Sequence, residues 1–423
     1  MHTARAMTAL PFARVLRFAS RAALGLLVGV GGAACSFDLG SSSSSSSGGS
    51  PFGSSGTIEI PPGIVSARYE MSLERFDTTT GAFTVLPAPP TKRNLFHVEE
   101  VRGKLVIVGG VDEVLDYVAS VDVFDPATAT WKAGARWPNV RNAQFVAVSG
   151  LLCAMGGTKG LALEPKTDVE CYDVDADAWS KRAPIPADVG YTDPAVHEGR
   201  VYLLGGTNWD GQAKINLAHD KAFAYDPAGD AWATLPSLPS GRGDAAVVRS
   251  GDRFLVLGGF RGTTPSTIGK ACETEALAFD TKTQAWSTVP QMPHARLIGF
   301  GVDPVGSGEV ATYFGLGSGP TLDRFEPATG RWRSGTEPTE TIDPGVYTRV
   351  AYGGDLFLLV VADKVSARGT SASGKLWKYA SAEDRWSIVG RRAPDQRDAL
   401  FYGKAIGTSL YFAGAFTNLT RTK

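Results

Sequence analysis

This chain of 423 residues has almost no excess of one charge over the other. It also contains few histidines, few cysteines and no long apolar runs. Its 42 Lys plus Arg nearly balance 43 Asp plus Glu, which leaves a formal net charge of −1. A nucleic-acid binder usually carries a basic patch or stripe, and none follows the first segment of this chain. We therefore expect no nucleic-acid partner.

Histidine is too sparse and too scattered for a metal site of the usual spacing. Outside the first segment the histidines are His97, His197, His219 and His294, and they show no ligand-like spacing. The sequence also lacks a G-x-S-x-G elbow, an H-E-x-x-H helix motif and a phosphate-cradling loop. From the sequence we predict no metal, no cofactor and no catalytic constellation.

The first 57 residues differ in composition from the rest. Four arginines precede the apolar stretch 22–34, which is shorter than the roughly 20 residues that a membrane-spanning helix needs. Cys35 follows at once, and a Ser/Gly-rich segment that cannot bury a core comes next. These features predict a signal peptide over 1–35, a flexible tether over 36–57 and a folded domain over 58–423.

The string GGAACS around Cys35 resembles the lipobox of bacterial lipoproteins. The resemblance implies that Cys35 is acylated and that the protein is exported and held at a membrane through its lipid alone. Ser36 after the cysteine is similar to the pattern of outer-membrane lipoproteins, which face the periplasm or the cell surface. The alternative is an ordinary secreted protein in which Cys35 has no such role.

The folded domain repeats an aromatic residue followed seven positions later by another. An acidic residue follows the first aromatic in all copies but the last, and turn-forming residues separate the two aromatics. The pairs are Phe76–Phe83, Phe124–Trp131, Tyr172–Trp179, Tyr225–Trp232, Phe279–Trp286, Phe325–Trp332 and Tyr379–Trp386.

A second signal, an apolar run that ends in a glycine doublet, precedes several of these pairs. The doublets are Gly109–Gly110, Gly156–Gly157, Gly205–Gly206 and Gly258–Gly259. Each unit therefore reads as four strands, which we call a to d. Strand b ends in the doublet, strand c in the first aromatic, and strand d carries the second.

This unit resembles the Kelch repeat in its period, its glycine doublet and its aromatic pair. The resemblance implies an all-β, seven-bladed β-propeller with one four-stranded blade per repeat. The first c–d pair has no a or b strand before it, and the last a–b pair, over 400–416, has no c–d pair after it. We predict that these two pieces form one shared blade; the alternative is six complete blades with loose terminal strands.

The alternation of strand direction places the b–c loops and the d–a loops on one face. The longest b–c loops follow Gly206 and Gly259, and loops on a rigid scaffold often carry function. The candidate ligand contacts in them are Trp209, Asp210, His219, Phe260 and Arg261. The alternative for Trp209 is that it packs its long loop against the propeller.

An arginine recurs just before strand a, on the same face. The five positions are Arg93, Arg141, Arg242, Arg296 and Arg397. A ring of guanidinium groups at the channel mouth favours an anionic ligand. The alternative is structural: each arginine pairs with a carboxylate or a carbonyl of the propeller itself.

Cys153 and Cys171 fall on consecutive strands of one repeat, so they are candidates for a disulfide in an exported protein. The alternative is two buried thiols. Cys272, in a loop, has no evident partner.

We expect a monomeric binding or interaction module that takes an anionic glycan or another envelope protein on its loop-bearing face. A first alternative is a sugar-modifying enzyme similar to the N-acetylneuraminate epimerases, although none of that family's catalytic residues can be carried onto positions of this sequence. A second is a structural scaffold of the cell envelope. The fold by itself does not separate these three functions.

Overall fold

A computed structural model describes residues 64–421 with internal gaps. The gaps are 115, 160–163, 189–191, 211–214, 263–273, 295–300, 314–320, 341–346, 361–373 and 393–399. The predicted signal peptide, Cys35, the tether, Cys272, Arg296 and Arg397 all lie outside the described residues. In the described part no helix is long and apolar enough to cross a membrane.

The described residues form strands throughout, in sheets that follow the predicted repeat. The first strands of the described part are β1 (Ile64–Asp77) and β2 (Ala82–Leu86). Blade 1 holds β3 (His97–Val101), β4 (Lys104–Val108), β5 (Val121–Asp125) and β6 (Thr130–Gly134). Blade 2 holds β7 (Asn142–Val148), β8 (Leu151–Lys159), β10 (Val169–Asp173) and β11 (Ala178–Arg182), with β9 (Glu164–Pro165) paired to β8. Blade 3 holds β12 (Pro194–His197), β13 (Arg200–Leu204), β16 (Ala222–Asp226) and β17 (Ala231–Leu235), with β14 (Thr207–Asp210) and β15 (Ile215–Ala218) as a separate hairpin.

The second half of the chain continues the same order. Blade 4 holds β18 (Ala246–Ser250), β19 (Arg253–Leu257), β20 (Ala276–Asp280) and β21 (Ala285–Val289). Blade 5 holds β22 (Gly301–Val305), β23 (Glu309–Tyr313), β24 (Leu322–Glu326) and β25 (Arg331–Ser334). Blade 6 holds β26 (Tyr347–Tyr352), β27 (Asp355–Val360), β28 (Lys375–Ala380) and β29 (Arg385–Arg391). The last strands of the described part are β30 (Leu400–Ile406) and β31 (Ser409–Arg421).

Blade 7 joins the two ends of the chain and confirms the predicted shared blade. Its strand order is β2-β1-β31-β30, so the N-terminal piece supplies strands c and d and the C-terminal piece supplies a and b. β1 pairs with β31 from Ile64 opposite Arg421 to Asp77 opposite Ser409. The alternative of six blades with loose terminal strands is therefore wrong.

The seven a strands form a closed inner ring, because each contacts the a strand of the next blade and β30 contacts β3. The hydrophobic core lies in the gaps between neighbouring blades. Between blades 1 and 2, for example, Val106 and Val108 of β4 pack with Phe145 of β7 and Leu152 of β8. Stacking thus buries both faces of sheets that would otherwise be half exposed.

The seven-residue spacing of the aromatic pairs follows from their position in the c–d hairpin. The two members of each pair lie directly opposite each other, and their ring centroids are 4.9 to 5.3 Å apart. In blade 1, Phe124 is opposite Trp131 and Asp125 is opposite Thr130, which leaves a short turn between the strands. The turn residue five positions after the first aromatic is left-handed, as at Asp177 with φ 51°.

Each tryptophan of strand d also holds the preceding blade. Its indole N–H donates to a backbone carbonyl in the segment that leaves that blade, and such bonds are worth about 1 kcal/mol each. The bonds are Trp131 to Pro87, Trp179 to Ala135, Trp232 to Ala183, Trp286 to Pro236, Trp332 to Pro290 and Trp386 to Thr336, at 2.7 to 2.9 Å. Blade 7 has Phe83 at this position and lacks the donor.

Three blades add a second bond of this kind, and these are the three with tyrosine as the first aromatic. Tyr172 donates to Asp177, and the same carboxylate accepts the backbone N–H of Ala135 in the preceding blade. The other two sets are Tyr225, Asp230 and Ala183, and Tyr379, Asp384 and Thr336. The phenylalanine blades have Gly81, Ala129, Gln284 and Gly330 at the aspartate position.

One covalent bond joins two strands of blade 2. The sulfur atoms of Cys153 in β8 and Cys171 in β10 form a disulfide, at positions that are direct partners in the sheet.

The Tyr172–Asp177 contact makes the free energy of unfolding depend on pH in the acid range. The hydroxyl of Tyr172 and the amide of Ala135 lower the pKa of Asp177 in the folded protein. A carboxylate with a lowered folded pKa stabilises the fold above the unfolded pKa, and the stabilisation is lost as pH falls through the folded pKa. We expect Asp177→Asn to flatten the decline of the urea midpoint below about pH 4. Tyr172→Phe should flatten the same part of the curve, and wild-type acid dependence in both variants would contradict this assignment.

Candidate functional site

The three described members of the predicted arginine ring are buried clamps within single blades. Arg93 is fully buried, and its guanidinium donates to Asp122 at 2.8 Å and to the carbonyls of Gly109 and Ser120. Thr91, two residues before Arg93, donates to the other oxygen of Asp122 at 2.9 Å. The clamp therefore joins the entrance of strand a to strands b and c of blade 1.

The same arrangement recurs in blade 2. Arg141 donates to Glu170 at 2.7 Å and to the Gly156 carbonyl at 2.6 Å, and Asn139 donates to the other Glu170 oxygen. The guanidinium also lies over the ring of Trp137. Its side chain has no exposed surface, so it does not present charge to a ligand.

Arg242 in blade 4 completes the described members of the predicted ring. It pairs with Glu275, which also accepts a bond from Ser240, two residues before the arginine. The structural alternative therefore holds for the three described arginines, Arg93, Arg141 and Arg242, which pair with carboxylates of the propeller itself. The expectation that they bind an anion at the channel mouth is corrected. The physical reason is that a buried arginine needs a carboxylate and carbonyl partners, which each blade supplies itself.

The glycine doublets and the arginine clamps belong together. Gly110 has φ 85°, and a Cβ added to it would lie 2.4 Å from the carbonyl oxygen of Asn94, the residue after Arg93. At Gly157, with φ 89°, a Cβ would lie 1.9 Å from the carbonyl oxygen of Asn142, the residue after Arg141. Only glycine allows strand b to end so close to the segment that carries the arginine.

Two blades use other residues for the clamp than those we predicted. In blade 5, His294 contacts Asp323 at 3.0 Å, and in blade 7, Arg392 makes a doubly hydrogen-bonded, buried pair with Glu74. The predicted Arg296 and Arg397 lie in gaps of the description. The acidic partner can be recognised in the sequence by its place in the repeat, because it lies two residues before the first aromatic. The examples are Asp122, Glu170, Asp323 and Glu74.

Blade 6 reverses the charges. Glu340, ahead of strand a, pairs with Lys375 at the start of β28. Blade 6 thus keeps a salt bridge with the charges exchanged, which supports an architectural role for this pair.

The long b–c loops of blades 3 and 4 are tied together at their bases. The Ala218 amide donates to the Gly262 carbonyl at 2.8 Å, and the Gly206 amide donates to the Arg242 carbonyl at 2.7 Å. Trp209 and Asp210 lie in β14 and are opposite Asn216 and Ile215 of β15. The loop after Gly206 is therefore a β-hairpin; the side chains of Trp209 and Asp210 are outside the described part.

The remaining loop candidates differ in their access to solvent. His219 is buried at the base of the hairpin, and burial lowers its pKa to about 4, so it is neutral near pH 7. It is not the accessible contact that we predicted. Phe260 is half-buried with its backbone paired to Gly243, and Arg261 is largely exposed and pairs with Glu275 at 2.8 Å.

The inner ring carries charged groups that the sequence did not single out. Glu99 of β3 pairs with Lys404 of β30 at 2.9 Å, and Arg349 of β26 lies 3.6 Å from Asp303 of β22. Tyr313 donates to Asp303. Burial raises the pKa of the Glu99 carboxyl more strongly than Lys404 lowers it.

The surroundings of Arg349 change its pKa in two directions. Burial lowers the pKa of the guanidinium, but Asp303, with smaller contributions from Tyr313 and Tyr347, raises it overall. Each of these groups occurs in one repeat only, and so the repeat pattern gives no signal for them.

Comparison with known proteins agrees with this geometry. A model of the Kelch motif matches residues 92–136, 191–239 and 241–293, which span blades 1, 3 and 4.

These stretches of the chain are Kelch repeats.

Relatives of this Kelch propeller occur in fungi and vertebrates. Kelch-like protein terF of Aspergillus terreus is 34% identical over 130 residues, which cover 30% of this chain and 28% of terF. Kelch-like protein 35 of Mus musculus is 32% identical over 38% of this chain and 26% of its own length. Kelch-like protein 25 of Xenopus tropicalis is 25% identical over 47% of this chain and 33% of its own. The chain thus spans about a quarter to a third of these relatives.

A solved structure shares the fold. The structure of YjhT superimposes with a TM-score of 0.52 and 15% identity, covering 72% of this chain and 99% of YjhT. At this identity the likeness concerns the fold alone. Kelch propellers are a type of protein-interaction module, and that broad class is the function these comparisons support.

Breaking one clamp should lower the free energy of unfolding rather than only weaken the binding of a ligand. Arg141→Met leaves Glu170 buried without its partner, and loss of one member of a buried pair costs about 3–5 kcal/mol. Arg261→Met removes the exposed partner of Glu275 and should lower the free energy of unfolding by less than about 1 kcal/mol. Urea unfolding of both variants checks this, and a wild-type midpoint for Arg141→Met would return that arginine to the list of ligand candidates.

Proposed function

We propose that this Kelch propeller is an exported, lipid-tethered module that binds a protein partner through the b–c loops of blades 2 to 4. The observation that carries this proposal is the position of the extra strands. Among the described residues, β9, β14 and β15 are the strands outside the four-stranded blade pattern, and all three lie in b–c connections.

The described parts of these connections are neighbours, and we call them the loop ridge: 156–159 and 164–168 of blade 2, 206–210 and 215–219 of blade 3, and 259–262 of blade 4. β9 lies against β14, and the Ala218–Gly262 bond joins blade 3 to blade 4. A ridge of paired strands is held in one shape before it meets a partner. Such preorganisation lowers the entropy that binding must overcome.

A protein partner fits the ridge better than an anionic glycan does. The glycan expectation rested on the recurring arginines, and Arg93, Arg141 and Arg242 are committed to buried carboxylates. Arg261 at the edge of the ridge is exposed but already paired. The sugar-modifying alternative stays a prediction from the sequence, as does the structural scaffold.

The tether suits a module that must reach a partner near a membrane. A flexible Gly/Ser-rich segment of the length of 36–57 has a root-mean-square span of about 25 Å. The lipid on Cys35 would hold the propeller within this distance of the bilayer and leave its orientation free. A nearby envelope protein then meets the ridge at a high effective concentration.

Site-specific photo-crosslinking in cells tests the ridge. A photoreactive amino acid in place of Trp209 or Arg261 should give a discrete protein adduct, because both positions lie on the ridge. The matched control is Thr128, an exposed residue in the β5–β6 turn on the opposite face. Adducts of equal yield at Thr128, or none at either ridge position, would contradict the proposed surface.

Metabolic labelling tests the anchor separately. An alkynyl palmitate should label the wild-type chain and place it in the membrane fraction, whereas Cys35→Ala should lose the label. We expect Cys272→Ala, which leaves the proposed lipid site intact, to label like wild type. Equal labelling of the Cys35→Ala variant would reject the lipoprotein assignment without affecting the interaction surface.

A further inference from the structure

The face opposite the loop ridge carries a cluster of metal-ligand side chains at the junction of blades 3 and 4. His197 ends β12, Glu198 follows it in the turn to β13, and Asp252 lies in the β18–β19 turn of the neighbouring blade. One ligand atom from each lies within 4.8 Å of the other two. The sequence did not bring these residues together because they belong to two repeats.

The imidazole of His197 is buried yet incompletely bonded. The residue is 5% exposed, and its Nε2 has no hydrogen-bond partner among the described residues. That atom faces the two carboxylates, at 3.6 Å from Asp252 and 4.0 Å from Glu198. A buried polar atom left without a partner is costly, and such atoms often mark a site where something binds.

We propose that His197, Glu198 and Asp252 bind a divalent transition-metal ion of the zinc class. Zinc bonds to nitrogen and carboxylate oxygen are about 2.0–2.2 Å long, so tetrahedral ligands lie roughly 3.5 Å apart. The two donor distances from Nε2 are near this value, and Glu198, on an exposed turn, needs only a small movement. Calcium and magnesium prefer sets made of oxygen alone, so the imidazole selects against them.

The ion would add a metal cross-link to two blades that already meet through side-chain packing and hydrogen bonds, such as that from Trp286 to Pro236. His197 and Glu198 belong to blade 3 and Asp252 to blade 4, so a bound ion cross-links adjacent a–b turns. Binding to the folded state alone raises the melting temperature by mass action. The proposed site, on the face without long loops, therefore predicts that zinc raises the stability of the propeller.

Two cationic side chains contact the atoms of His197 and Asp252 that would not bind the metal. Arg249 lies 3.2 Å from Nδ1 of His197, and Lys282 donates to the other oxygen of Asp252 at 2.6 Å. Because arginine only donates, Nδ1 accepts in this state and Nε2 carries the ring proton. Zinc binding requires the proton to move to Nδ1 and the exposed Arg249 side chain to turn away. Removing Arg249 should therefore tighten zinc binding.

Isothermal titration of ZnCl₂ into the untagged full chain, with thermal unfolding beside it, tests the site. We expect one zinc-dependent transition with a dissociation constant in the micromolar range and a raised melting temperature. Asp252→Asn and Glu198→Gln should each weaken binding about tenfold or more, while Arg249→Met should strengthen it several-fold. Glu198 and Asp252 lie on exposed turns, so both variants should fold as wild type without zinc.

The control titrations use CaCl₂ and MgCl₂, which should leave the melting temperature unchanged. The proposal is overturned if zinc produces neither heat nor a thermal shift. It is equally overturned if both effects persist unchanged in Asp252→Asn and Glu198→Gln, because the zinc would then occupy another site.

Discussion

The pairing of β1 with β31 is the interaction on which the rest of the propeller depends. Every blade buries its two faces against its neighbours, so the core exists only while the ring is closed. Six of the blades are made from consecutive chain, and their formation needs only local hairpins. Blade 7 alone joins residues from both ends, and its strands c and b pair along their whole length. The buried Arg392–Glu74 pair adds a second bond between the ends.

The recurring residues of the repeat are used for architecture at two levels. Within a blade, the arginine, the glycine doublet and the acid before the first aromatic form one clamp across strands a, b and c. Between blades, the tryptophan and, in three cases, the Tyr–Asp pair bond to the segment that leaves the preceding blade. Function must then come from what does not recur, which directs attention to the loop ridge, the inner-ring charges and the His197 cluster.

The sequence predicted the fold well because the repeat fixes both spacing and register. Aromatic residues seven apart can lie opposite each other only across a short hairpin, and seven copies with offset ends imply a shared blade. The site was harder to predict. The arginines recur on one face, which is equally the pattern of a ligand ring and of a clamp. Only the buried partners, such as Asp122 and Glu170, distinguish the two.

Contacts between repeats were beyond sequence reasoning. Arg349 and Asp303, or His197 and Asp252, are distant in the chain and meet through the ring geometry. No spacing rule connects them. The substitution of Arg392 for the predicted Arg397 has a similar origin, because the length of the segment before strand a varies from blade to blade.

Hydrogen exchange in a chain that lacks residues 400–423 tests the dependence on closure most directly. The truncation removes β30 and β31 but leaves blade 4, on the far side of the ring, intact in sequence. If closure supports the whole core, the amides of β19 and β20 should lose their protection together with those of blade 1. Wild-type protection in β19 and β20 of the truncated chain would contradict the account and show that the blades are stable independently.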